Sequence, residues 1–558
     1  MDWVNRNGPV ALLGVAMAAS VATILYLTRD LTFLQDTWEF LMNRRDVDLD
    51  ALLEPHNEHI SVIPVAIEAL LVEAFGMTSA RPEYVVLALV HAGAGALLFL
   101  YARRRVGEWL ALLAAVLLLF LGPAWEALLW PFEIGFVGSV LFGLAMLLAL
   151  DRDDRDGDLA ASIFLALSLG FSSVGIPFAV AAAVDVLQKR RARGWRRAYL
   201  VAVPLVLYAA WYLGWGRDAE THLSLDNVLS SPRFVLESAA SAVGAVFGLG
   251  TSPYGGSPDP VWGRILLVAL VAGFAVRHFR RPGVATGAPR PAVAPGFWPI
   301  AAAAAANWFL TAFNQVPGRD PTSSRYQYMG GVLVLLLLAN LLQGVRLPRR
   351  ALAVAAALVL AAVAVNLVVL RDGRDVLATQ SELTRADLGA IEIARRTVDP
   401  GFALTDPQVA GTTTLVDVQV AKYLPAIDEH GSPAYTPAEL AEAPDYARRQ
   451  ADIVLSQALP LATSTRLGAY EPGGGENCAT VRPGGPELPL SPGATRIELP
   501  PGPPATFSLR RFASGEYPVP TEGAPGDSVT VIRIPRDAAP RFPWYLQVEA
   551  SQPARVCR

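Results

Sequence analysis

The chain has 558 residues, of which 53% are hydrophobic and only 17% charged, and a net charge of −4. A soluble globular protein carries roughly 25% charged residues, and a nucleic-acid binder carries a basic excess, so the composition argues against both and no nucleic-acid partner is expected. The shortage of charge is uneven: residues 9–370 are apolar blocks separated by short polar stretches, whereas residues 371–558 read like a soluble protein.

The first apolar block, Val10–Leu27, has no small-residue cleavage pattern before the next polar run and reads as a retained helix. Backbone polar groups in hydrocarbon must be satisfied within their own segment, so each long apolar run is expected to be a helix. These runs are 9–27, 83–102, 107–122, 134–150, 159–173, 174–188, 197–215, 261–278, 297–313, 329–345 and 351–370. Two further runs, 60–76 and 231–250, carry Glu68, Glu73 and Glu237 and are expected to lie at the outer interface or to re-enter. The basic clusters Arg103–Arg105, Lys189–Arg197, Arg277–Arg281 and Arg346–Arg350 then fall on one side together with Met1, and the positive-inside rule makes that side cytoplasmic.

The expected fold class is a polytopic α-helical protein of the plasma membrane with about eleven transmembrane helices, thirteen if both uncertain runs also cross. Either count is odd and places the tail outside. The expected domains are a transmembrane domain, 1–370, whose first outer loop is 28–82, and a soluble extracytoplasmic domain, 371–558, of α/β or β-sandwich type. The cytoplasmic loops are short, and no Walker A or dinucleotide-binding glycine pattern occurs. Chemistry is therefore expected on the outer face.

In the first outer loop, Asp36 and Glu39 stand three residues apart and would share one face of a short helix, with Trp38 and Phe40 turned toward the membrane. His56, Asn57, Glu58 and His59 follow at the start of the apolar run 60–76. Ionisable groups crowded beside an apolar surface acquire shifted pKa values and act as bases or substrate contacts. His56 and His59, with Asp36, are also candidate ligands for a divalent metal such as Mg, Mn or Ca. Arg44–Asp50 reads as a solvated stretch.

The second outer loop carries Trp125, Glu126, Trp130, Phe132 and Glu133. Its aromatics fit an interfacial belt; aromatic faces beside carboxylates equally fit a sugar site. Ser172 and Ser173 before Gly175 and Pro177 read as turn chemistry. The fourth outer loop reads F-N-Q-V-P-G-R-D-P-T-S-S-R-Y-Q-Y, and Arg325 stands where a helix re-enters, flanked by Tyr326 and Tyr328. A guanidinium there either grips a phosphate or anchors the helix end at the interface.

In the tail, residues 371–400 look helical, with Leu377, Leu383, Leu388 and Ile391 on one face. The runs T-R-I-E-L, T-F-S-L-R, S-V-T-V-I-R-I and W-Y-L-Q-V read as strands of a small β-sandwich. Cys478 and Cys557, the only two cysteines, both lie here and suit a disulfide in an oxidising compartment.

This pattern resembles the GT-C membrane glycosyltransferases, a group that includes protein O-mannosyltransferases, oligosaccharyltransferases and arabinofuranosyltransferases. The likeness rests on Asp36 and Glu39 soon after the first helix, on the E-P-H-N-E-H run before an apolar helix, and on S-R-Y-Q-Y. The acidic pair is spaced D-x-x-E where the family usually has adjacent acids. The Ala-, Arg- and Gly-rich composition resembles that of an actinobacterial protein. The resemblance implies a polyprenyl-phosphate sugar donor, held by the lipid bilayer, and a cell-envelope glycan or protein acceptor. It also implies an inverting transfer in which Asp36 is the general base, and Arg325, or a cation near Glu39 and His56, stabilises the departing phosphate. A transporter or flippase would instead carry paired ionisable groups at mid-membrane, where the expected spans are almost free of charge. A glycan polymerase would differ only in its lipid-diphosphate leaving group.

Overall fold

The computed structural model describes all residues except 1, 46–47, 220, 251–260, 280–293, 405–414, 416–417, 460, 471–477, 484, 515–523 and 558. The chain divides into two compact units. The helical unit comprises Met1–Asp30, Arg44–Leu71 and Arg81–Leu377. The C-terminal unit comprises Leu31–Asn43, Val72–Ala80 and Ala378–Arg558. The expected single boundary at residue 370 thus gives way to a division in which two pieces of the first loop belong with the tail.

In chain order the first helices are α1 (Asp2–Leu27), α2 (Thr37–Asn43), α3 (Leu49–Leu53), α4 (Val62–Phe75), α5 (Arg81–Val106) and α6 (Glu108–Leu119). They are followed by α7 (Trp125–Leu129), α8 (Ile134–Leu150), α9 (Arg155–Phe171), α10 (Ile176–Arg193), α11 (Tyr199–Gly214) and α12 (Leu225–Val246). Then come α13 (Val261–Phe279), α14 (Phe297–Phe313), α15 (Ser324–Leu341), α16 (Arg349–Ala394), α17 (Val420–His430), α18 (Pro437–Glu442) and α19 (Asp445–Ala458). Each of the eleven apolar runs is helical, and the two uncertain runs are α4 and α12.

Among the described residues, five helices are long and apolar enough to cross a membrane: Gly8–Leu27, Arg81–Val106, Pro131–Leu150, Trp195–Gly214 and Arg349–Ala394. The pair Glu108–Leu119 and Gly122–Leu129, bent by 43°, adds a sixth if it forms one broken span. Helices α13 and α14 are apolar but short, while α9 opens on R-D-G-D and α10 ends on Q-K-R-R-A-R. The expectation of eleven spans therefore depends on helices that do not pass alone. The bend falls where Pro123 has no N–H to donate and where a Cβ at Gly122 would lie 1.8 Å from the Asn366 carbonyl oxygen of α16. Only glycine allows that approach.

Ion pairs gather the basic clusters at one end of the helical unit. Arg105, at the end of α5, donates through both Nη atoms to Asp151 at 2.9 Å and through Nε to Asn340 of α15 at 3.1 Å. Arg197, 4% exposed, grips Asp158 at 2.7 Å and reaches Asp185 at 3.1 Å. Lys189 and Arg193 pair with Asp153. The clusters Arg103–Arg105 and Lys189–Arg197 therefore share one face, as the charge rule requires. The Arg277–Arg281 cluster lies largely outside the described residues.

In the C-terminal unit, α2 buries Thr37, Trp38, Phe40, Leu41 and Met42. Trp38 is fully buried, packs edge-on against Phe33 and Tyr423 with ring centroids 5.9 Å away, and donates its indole N–H to the Phe33 carbonyl at 3.1 Å. This corrects the expectation that Trp38 and Phe40 face the membrane. Burying a side chain of this kind contributes on the order of 1.5–3 kcal/mol, and protein rather than lipid receives it. Thr32 donates its backbone N–H to Ser381 Oγ at 2.9 Å, and Met77 donates to the His430 carbonyl at 2.7 Å, which ties both loop pieces to the tail. The helix expected over 371–400 is not separate but the end of the 46-residue α16, and Leu377, Leu383, Leu388 and Ile391 are all buried along it.

The strands are β1 (Ala462–Leu467), β2 (Cys478–Val481), β3 (Leu488–Leu490), β4 (Gly493–Leu499), β5 (Thr506–Arg510), β6 (Ser528–Ile534), β7 (Trp544–Glu549) and β8 (Ala554–Cys557). They form two antiparallel sheets, ordered β1-β6-β4-β8-β2 and β3-β7-β5. The four alternating runs named from the sequence are β4, β5, β6 and β7. Cys478 and Cys557 stand opposite each other in the β2–β8 pair and are disulfide-bonded.

Candidate functional site

At the end of the helical unit opposite the basic face, two tight turns present charged side chains. The first joins His56 to His59, each donating its backbone N–H to the other's carbonyl at 2.9 Å. Asn57 takes φ +50° there, a left-handed conformation that asparagine tolerates better than most residues. The second is V-P-G-R: Pro317 and Gly318, with φ +86°, occupy its corners, and Arg319 donates its N–H to the Val316 carbonyl at 2.9 Å. Proline followed by a positive-φ glycine is the requirement of a type II turn. The turns meet where Arg319 Nη1 donates to Glu58 Oε1 at 2.6 Å.

Five residues after Arg319, α15 begins. Glu126 accepts the Arg325 backbone N–H at 2.9 Å and lies 3.5 Å from its guanidinium, while the Glu126 N–H donates to Ser324 Oγ at 3.0 Å. Glu126 thus satisfies an open N–H at the positive end of α15.

Glu58, His59, Arg325 and Tyr326 line a single cavity of about 250 Å³ within the helical unit. Its apolar wall is built from Phe136, Val174, Ile176, Pro177, Leu310 and Met329, and its aromatic wall from Tyr208, Trp211 and Tyr212. Asn307 and Thr311 of α14, and Asn314 that caps its C-terminus, add polar groups. His59 packs edge-on against Phe136 at 5.3 Å. Glu58 Oε2 and His59 Nδ1 are buried with no hydrogen-bond partner among the described residues.

Burial favours the neutral form of Glu58, but His59 and the Arg319 guanidinium outweigh it and hold the carboxyl below its ordinary range. For His59 burial is the leading effect; Glu58 opposes it, His56, Arg319 and Arg325 reinforce it, and the imidazole is pushed down to about 4. At neutral pH the cavity therefore offers the Glu58 carboxylate, the Arg325 guanidinium and a neutral imidazole.

The other sequence candidates lie elsewhere. His56 packs edge-on against Phe132 at 4.9 Å, and Trp130, 2% exposed, stacks on Phe132; Trp130 is core, neither belt nor cavity wall. Glu133 is buried beside this aromatic pair in the chain. Trp125 packs against Gly373 of α16. Tyr328 is fully buried and hydrogen-bonds His91 at 2.9 Å, which makes it a tie between α5 and α15. Arg44, expected in a solvated stretch, is 2% exposed and donates to the Glu54 and Pro55 carbonyls at 2.7 and 2.9 Å. Asp36 and Glu39 belong to the C-terminal unit and are only partly buried, with α2's apolar residues turned inward. Among the described residues no group of three or more His, Cys, Asp or Glu side chains is arranged to hold a metal ion. Glu58 is engaged by Arg319.

Arg319, Asn307, Thr311 and Asn314 were not singled out from the sequence, and Ser173 was read as turn chemistry alone. Ser173 does more than form a turn: its hydroxyl contacts Tyr208 Oη at 2.9 Å and accepts the Ile60 N–H at 3.4 Å. Asn307, Thr311 and Asn314 recur at i, i+4 and i+7 of an apolar helix and its C-terminal cap. A polar stripe on such a helix is a functional signal in its own right.

No protein-family model matches the chain, and no curated protein matches its sequence. Among solved structures, the chain is similar to the crystal structure of ArnT from Cupriavidus metallidurans bound to undecaprenyl phosphate. The two share 15% sequence identity at a TM-score of 0.43, over 77% of this chain and 86% of that one.

Proposed function

We propose that this chain is a membrane glycosyltransferase of the GT-C type. It transfers a sugar from a polyprenyl-phosphate donor to a cell-envelope acceptor on the outer face. The observation that carries this reading is the cavity that sets Arg325, Glu58 and His59 against an apolar and aromatic wall. A ligand suited to it has a lipid part, an anionic group and a polar, C–H-rich part, which describes a polyprenyl-phosphate sugar.

The transfer is an inverting displacement. Asp36, with Glu39 next in order, takes the proton of the acceptor hydroxyl; the acceptor oxygen bonds to the anomeric carbon; the bond from that carbon to the phosphate oxygen breaks. Polyprenyl phosphate leaves with the bonding electron pair, and Arg325 stabilises its charge. Glu58 is a positioning group here, because it already accepts from Arg319.

Binding tests the reading before turnover does. The detergent-purified protein is offered polyprenyl phosphate and the neutral polyprenol of equal length. Preference for the phosphate by about tenfold or more, lost in Arg325→Ala, is expected of a guanidinium–phosphate contact. Equal binding of the two lipids would overturn it.

A further inference from the structure

Arg319 faces a second space. Besides meeting Glu58 of the cavity, it lines a separate cleft of about 500 Å³ between the first half of α12 and the loop 315–321. The cleft's lining is more polar than the cavity's. Arg233, Glu237, Asp320, Ser230 and Gln315 contribute to its lining, with the ring faces of Pro317 and Pro321 between them.

The cleft is built rather than incidental. Gln315 Nε2 donates to Ser230 Oγ at 2.6 Å, which ties the loop to α12. The Asn227 amide donates to the His222, Phe313 and Gln315 carbonyls at 2.7–3.1 Å and holds the same loop at its root. Its charges compensate one another: Arg233 and Arg319 match Glu237 and Asp320 in number. Glu237 is further paired with Arg264 at 2.8 Å. A balanced lining of hydroxyl, amide and paired charges beside flat apolar rings suits a neutral, hydroxyl-rich ligand more than an anion.

A transferase needs two substrates to approach one reacting carbon from opposite sides. We infer that the cleft is the acceptor subsite for a neutral glycan chain, and that the Arg319–Glu58 pair is the partition separating it from the donor cavity. This rests on the glycosyl-transfer reading. Arg319 is then a positioning residue whose guanidinium addresses both chambers, and the acceptor's specificity is set by α12 and the V-P-G-R turn.

Single-cysteine reporters test the assignment without any donor. The two native cysteines are joined to each other, so Ser230→Cys reports on the cleft and Ser173→Cys on the cavity. Each is labelled with a membrane-impermeant maleimide in the presence of neutral oligosaccharides released from the cell envelope, or of polyprenyl phosphate. The oligosaccharides are expected to slow labelling at 230 by about tenfold and at 173 by less than about twofold, with polyprenyl phosphate doing the reverse, as two separate subsites require. Protection of 230 by polyprenyl phosphate, or by neither probe, overturns the proposal.

Where turnover is measurable, Ser230→Trp should raise the acceptor KM by about tenfold and leave the donor KM unchanged, since it removes binding on one side only. A raised donor KM with an unchanged acceptor KM overturns it as well. Absence of turnover from every donor would sink the transfer reading alone, because the labelling pattern would still report what the cleft binds.

Discussion

Arg319 Nη1 lies 2.6 Å from Glu58 Oε1 across 261 residues of sequence, and both side chains are less than one-fifth exposed. This contact fixes the V-P-G-R turn against the His56–His59 turn and defines one edge of the cavity. A double-mutant cycle measures it. Glu58→Gln and Arg319→Gln should each destabilise the purified protein, and the two together should cost less than their sum by on the order of 0.5–3 kcal/mol. Additive losses in detergent thermal unfolding would show the pair is not coupled.

The same turn predicts a pH dependence. The folded-state pKa of His59 lies at about 4, below the ordinary 6.5. Between those values the unfolded chain binds a proton that the folded chain does not, so stability should fall as pH drops through that window. Glu58, also held below its ordinary 4.5, contributes stability above that value and loses it as pH falls further. His59→Gln should flatten the Tm profile between pH 6.5 and about 4. An unchanged profile would mean that His59 is not the group titrating.

At the opposite end of the helical unit, Asp158 and Arg197 are each only 4% exposed. Asp158→Asn leaves a buried guanidinium short of its main partner and should cost about 3–5 kcal/mol. Donor binding per folded molecule should be unchanged, since this cluster stands away from the cavity. A variant as stable as the parent would show that Asp185 alone satisfies Arg197.

Topology is testable in whole cells. Pro317→Cys, in the exposed turn, should react with an impermeant maleimide from outside, whereas Arg191→Cys, in the basic face, should react only after the membrane is opened. The reverse pattern would invert the assignment of the outer face.

The helices were legible because lipid-facing segments must be continuous apolar runs, and every such run became a helix. The V-P-G-R turn follows from two residue types, but that loop was read only for Arg325 and the tyrosines beside it. The partnership of Arg319 with Glu58 was not legible, because nothing local ties a turn before α15 to one before α4. The orientation of α2 was misread for a different reason. A short amphipathic helix shows which face is apolar but not whether lipid or protein covers it, and Trp38 is covered by Phe33 and Tyr423. Asn307, Thr311 and Asn314 were visible as a stripe, and reading α14 only for its apolarity concealed them.

The most direct test of the account is release of polyprenyl phosphate. The purified protein is offered a panel of polyprenyl-phosphate sugars with cell-envelope glycan as acceptor, and wild type is compared with Asp36→Asn and Arg325→Ala. Release is expected from at least one donor, reduced about a hundredfold or more in Asp36→Asn, the loss expected when a general base is removed. Release that survives Asp36→Asn would contradict the choice of base, and no release from any donor would contradict the glycosyltransferase itself.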